Sequence, residues 1–163
     1  DELIYVSGFT LPGNYYYNIE KDESLDILLD CFDKNQQIIN KLPSFIPKVA
    51  LIHSPIKLVE EKILNKLNEY DLILCGHTHN GMVPDKLSFL LKNNRGIIAP
   101  NKKLFPKIAK GKIEKKLSNK SLTIIINGGI TKLSLKSARI LNKLNFIYNI
   151  SINKVIIRKG RGN

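Results

Sequence analysis

Tryptophan is missing from this 163-residue chain, methionine occurs once, cysteine twice and histidine three times. Only 7% of residues are aromatic, so the core must be aliphatic, built mainly from Ile and Leu. Cys31 and Cys75 are far apart and neither belongs to a Cys-x-x-Cys pair. Nothing in their spacing argues for a disulfide, Cys75 at the end of an apolar run reads as a buried free thiol, and the sequence suits a reducing compartment. No apolar run approaches the ~18–20 residues that span a bilayer, and no signal-peptide pattern is visible. Repeats and low-complexity tracts are absent as well.

Acidic residues are also scarce. Fourteen Asp and Glu face 26 Lys and Arg, for a net charge of +12. Such a balance favours anionic partners: nucleic acid, an acidic membrane surface or a phosphorylated substrate. Lysine outnumbers arginine 22 to 4. Arginine is the usual residue for bidentate recognition of bases and phosphates, so the excess reads as diffuse solvated charge, and no specific nucleic-acid binding is expected.

What is present is an alternation of short apolar runs with amphipathic stretches, in a length that suits one domain with a sizeable core. Leu3-Ile4-Tyr5-Val6 reads as a strand ended by Gly8, and Gly13-Asn14 as a turn region. Ser24 is a candidate N-cap for a helix carrying Leu25, Leu28, Leu29 and Phe32, closed before Pro43. Val49-Ala50-Leu51-Ile52 is continuously apolar, the pattern of a strand buried on both faces, and leads into His53-Ser54-Pro55. Val59, Ile63, Leu67 and Tyr70 form one helical stripe. A second continuous run, Leu72-Ile73-Leu74-Cys75, leads into Gly76-His77-Thr78-His79-Asn80-Gly81. Residues 47–79 therefore spell a βαβ unit with parallel strands and a right-handed crossover. Beyond an irregular stretch from Pro84 to Pro106, with a helical turn expected at Asp85–Leu91, Ile108–Lys115 and Ser121–Asn127 predict a hairpin turning near Ser118-Asn119. Ile150, Ile152 and Val155-Ile156-Ile157 predict terminal strands, and residues 160–163 a frayed tail.

All three histidines fall at the C-terminal ends of predicted strands, where open α/β sheets build their sites. A single histidine is more often a hydrogen-bonded core residue than a ligand. Two in a Gly-flanked loop, with a third one βα unit upstream, form a donor set suited to Zn, Mn or Fe. His77 and His79, two residues apart, would point in different directions, as toward two ions.

The pair His53-Ser54-Pro55 and Gly76-His77-Thr78-His79-Asn80-Gly81 resembles the last two motifs of the calcineurin-like metallophosphoesterases. The resemblance implies that His53 and His77 share one divalent ion and His79 binds its neighbour, with Asn80, Gly81 and Arg139 at the substrate rim. Asn80 and Met82 stand where Gly and Gln are common in the most similar subgroup. Ile126-Asn127-Gly128-Gly129 loosely resembles a later feature. The implied fold is α/β, part of a four-layer α-β-β-α sandwich over residues 1–163, with parallel strands first and antiparallel strands after about residue 105. The implied activity is metal-dependent phosphoester hydrolysis.

The family's Asp-x-His, Gly-Asp-x-x-Asp and Gly-Asn-His-Asp motifs do not occur here. Asp71 precedes its strand and Asp85 follows the loop, so neither substitutes for them. The chain is accordingly expected to be the C-terminal portion of a longer parent, whose N-terminal half would supply the remaining ligands and the general acid, and which could carry a membrane anchor. Alone it should bind metal weakly, show negligible activity and tend to associate through an uncovered sheet. A cytoplasmic or membrane-peripheral location is expected. Two competing readings are a non-catalytic basic module of the same fold that binds an anionic partner, and a basic nucleic-acid-binding protein, which the scarcity of Arg and aromatics disfavours.

Overall fold

The computed structural model describes residues 3–9, 22–55, 58, 61–83, 89–91, 94–98, 104–117, 120–129 and 152–158. In chain order the elements are β1 (Tyr5–Phe9), α1 (Asp22–Ile39), β2 (Lys48–Ile52), α2 (Glu61–Lys66), β3 (Leu72–Cys75), β4 (Gly111–Lys116) and β5 (Ser121–Ile126). They form an α/β fold on one five-stranded mixed sheet of order β1-β2-β3-β5-β4. β1, β2, β3 and β5 run parallel, and β4 is antiparallel to β5 at the edge.

The parallel β2-α2-β3 unit follows from the two continuous apolar runs and the stripe between them. Ile63, Leu67 and Tyr70 of that stripe are all buried, although the regular helix closes at Lys66 and a turn carries the last two. The predicted hairpin also forms, with Lys116 opposite Ser121. Past residue 105 the described residues add one antiparallel pair, β4 with β5, while β5 itself continues the parallel set beside β3.

One sheet face carries the core. Ala50, Ile73 and Ile124, which lie in register across three strands, are fully buried beneath Leu28, Phe32, Ile63 and Leu67. Each such aliphatic side chain contributes about 1.5–3 kcal/mol through burial. Phe9 meets Phe32 edge-to-face, with centroids 4.8 Å apart, and fixes α1 over β1. On the opposite face Val6 is 54% and Leu51 44% exposed.

Three expectations are corrected. β1 begins at Tyr5 and not at Leu3, since Leu3 and Ile4 lie outside the ladder and are exposed. Residues 152–158 form no strand and are exposed throughout, so the apolar character of Val155-Ile156-Ile157 finds no neighbour to pair with among the described residues. α1 starts at Asp22, two residues before the anticipated cap at Ser24. Gly13-Asn14, Val59, the Ser118-Asn119 turn, most of Asp85–Leu91, Ile150, Arg139 and residues 160–163 lie outside the described residues.

Candidate metal centre

Parallel pairing of β2 with β3 places Ile52 opposite Cys75. The residues that follow each strand therefore leave the sheet side by side. The Gly76 N–H donates to the His53 carbonyl (3.2 Å), which extends the ladder one step beyond the strands. From there the His53 and His77 side chains converge. His53 Nε2 and His77 Nδ1 are 2.7 Å apart, one donating and the other accepting. The ring centroids are 4.5 Å apart, and those of His77 and His79 6.5 Å.

The loop is strained. His77, His79, Asn80, Gly81 and Met82 all have positive φ, between 47° and 67°. Only glycine adopts that region without cost, and such residues gather where a site imposes them. Compensation comes from packing. A Cβ on Gly81 would sit 2.3 Å from the Gly96 Cα and 2.7 Å from the Ala109 Cβ, so two glycine backbones touch there. The Gly81 carbonyl accepts from the Ile97 and Ile98 N–H groups, at 2.8 and 3.1 Å. The buried Thr78 hydroxyl donates to the Ala109 carbonyl at 2.6 Å. On the other side, the Asn80 amide covers Gly128 so closely that a Cβ there would lie 2.3 Å from its Cγ. Asn127, which continues β5, donates its N–H to the Cys75 carbonyl and accepts the Gly129 N–H at Oδ1 (2.7 Å).

Burial pushes the His77 imidazole down to about 4, with help from the neighbouring charges of His53 and His79. His53 is also lowered, first by burial and then by His79. A depressed value keeps imidazole neutral, the form that binds metal. His79 Nδ1 is buried and has no hydrogen-bond partner among the described residues. A buried nitrogen without a partner costs ~1–3 kcal/mol, a penalty that a ligand would remove. By donor type the set suits a divalent ion: two imidazoles converge, a third buried nitrogen lies nearby, and the proton that His53 and His77 share would have to leave for both to act as ligands. Among the described residues no three His, Cys, Asp or Glu side chains converge on a single point.

All three sequence-predicted histidines are therefore brought to one end of the sheet, with Asn80 and Gly81 beside them. Sequence reasoning missed Thr78, Gly96 and Ala109. Of these only Gly96 left a signal, a glycine in an irregular stretch. Comparison with family sequence models, curated proteins and solved structures finds no match to this chain.

Proposed function

We propose that this chain contributes the imidazole ligands of a two-metal phosphoester hydrolase, within the four-layer sandwich that its motifs suggest. The observation that carries this reading is the convergence of His53 and His77 at 2.7 Å beside the buried His79 Nδ1, which has no hydrogen-bond partner among the described residues. His53 and His77 would hold one ion and His79 the other, the ions being Mn, Fe or Zn. When bound, such a pair supplies an activated water and neutralises phosphoryl oxygens.

The chain's own residues position and shield. Thr78 fixes the peptide between the two histidines through Ala109. The Gly81–Gly96 contact holds the loop's strained turn. Asn80, packed over Gly128, stands at the rim beside His79, where its amide can orient a phosphoester. The carboxylate and asparagine ligands, with the general acid, would come from a portion that carries the motifs missing from this sequence. In its absence the chain should bind metal weakly and turn over little substrate.

A chain of net charge +12 suits an anionic phosphoester. The test is hydrolysis of bis(p-nitrophenyl) phosphate and p-nitrophenyl phosphate by a protein containing this chain joined to the missing motifs. Mn²⁺- or Zn²⁺-dependent turnover should fall at least 100-fold with His77→Ala. Undiminished turnover in that variant overturns the reading. No helix among the described residues is long and apolar enough to cross a membrane. A cytoplasmic or membrane-peripheral location is part of the same proposal.

A further inference from the structure

From Lys86 to Ile113 the sequence holds eight Lys and Arg and no Asp or Glu, which is most of the chain's net charge of +12. The same stretch exposes large apolar side chains. Phe89 is 79% exposed, Leu90 64%, Leu104 62% and Phe105 63%. Arg95 and Lys107 are exposed close to them in sequence. Single exposed apolar residues are ordinary, but four in one acid-free stretch of sequence combine the two features of an interfacial membrane-binding segment.

The part of this stretch that carries Arg95, Leu104 and Phe105 is fixed to the metal-site loop. Ile98 bridges Leu104 antiparallel, and the Phe105 N–H donates to the Ile97 carbonyl at 2.8 Å. Ile97 and Ile98 in turn bond the Gly81 carbonyl. Asn94 accepts the Ala109 N–H and its amide donates to the Lys110 carbonyl at 2.6 Å, which ties the far side of the cluster to the start of β4. Phe105 itself is held at φ 52° while its ring stays in solvent, a strained presentation of an apolar group.

We propose that the exposed residues Phe89, Leu90, Arg95, Leu104, Phe105 and Lys107 dock on an anionic lipid bilayer. Phe89, Leu90, Leu104 and Phe105 enter the acyl boundary, while Arg95 and Lys107 meet the headgroups. A nucleic acid would use the charge but leave Leu90 and Leu104 without a role, and seven of the eight cations are lysines, a poor set for base recognition. Docking needs no metal. Its consequence, that the phosphoester reaches the imidazoles from a membrane surface, rests on the proposed hydrolase reading. The two are separable because vesicle binding is read without turnover.

The experiment uses the full chain with phosphatidylglycerol–phosphatidylcholine (1:1) vesicles against pure phosphatidylcholine. With no native tryptophan, Leu104→Trp gives a single emitter. Its emission should shift to the blue on anionic vesicles and stay unchanged with pure phosphatidylcholine. The double variant Phe89→Ser/Leu104→Ser should sediment with anionic vesicles at least tenfold less, at an unchanged melting temperature. Lys107→Gln should weaken partition by about fivefold. Three results each overturn the proposal: no partition, partition without a blue shift at position 104, or tighter binding to single-stranded DNA that the serine variant leaves intact.

Discussion

At the scale of single residues, the site is governed by His77 and Gly81. In the metal-free protein the His77 imidazole, held at about 4 against an ordinary 6.5, binds fewer protons in the folded chain than in the unfolded one. Its contribution to stability is therefore complete above pH ~6.5 and is lost as the pH falls to ~4. The ring is half-buried and solvent screens the effect, so roughly 1–2 kcal/mol is expected. Urea denaturation at pH 7.5 and 4.5 should show a smaller acid loss for His77→Gln than for the parent chain. Gly81→Ala meets both a positive φ and the Gly96 backbone. It should destabilise by about 2 kcal/mol or more, measured by the same denaturation. The histidines and Gly81 were legible as a candidate site because their types and spacing carry chemistry. Thr78 and Ala109 were not, since a hydroxyl that bonds a carbonyl 31 residues away leaves no local pattern.

Secondary-structure elements are joined by a second set of polar contacts. Ser7 on β1 and Tyr70, just before β3, share a buried hydrogen bond at 2.6 Å. Asn35 on α1 donates to the same Tyr70 hydroxyl and accepts from the Tyr5 hydroxyl. This network sets the angle of α1 across the sheet. Tyr70→Phe strands the Asn35 amide and the Ser7 hydroxyl, and should cost about 1–3 kcal/mol in chemical denaturation. Thr78→Val keeps the shape of the side chain but orphans the Ala109 carbonyl. It should cost a similar amount and quicken amide exchange at Gly81 and Ile97. The βαβ unit and the hairpin were legible because burial on both faces and alternation leave distinct patterns. The start of β1 was misread because Leu3 and Ile4 share the apolar character of strand residues while lying beyond the ladder. Terminal strands were anticipated for the same reason, since composition alone cannot supply a pairing partner.

Across the whole molecule, the sheet is covered unequally. Parallel sheets are ordinarily packed on both faces, yet Val6 and Leu51 project from this one into solvent. Leu51→Lys should reduce concentration-dependent light scattering without lowering the melting temperature, because the side chain it replaces is 44% exposed. Sequence patterning could not reveal this exposure. A continuous apolar run like Val49–Ile52 signals burial on both faces, and only the assembled sheet shows that on this face Val49 and Leu72 are buried while Val6 and Leu51 are exposed.

The parallel pairing of β2 with β3 also has a consequence in time. Val49 pairs with Leu72 across one short crossover, whereas Leu72 pairs with Thr123 across a loop about twice as long. Closing the longer loop costs roughly 0.6 kcal/mol more entropy, and local contacts form sooner. The two facing imidazoles thus belong to the part of the chain able to assemble first. The clamp from Thr78 to Ala109 and the cover from Asn80 to Gly128 must await β5 and its neighbours. A refolding chain would pass through a stage in which His53 and His77 already face one another while the loop around them is still unfastened.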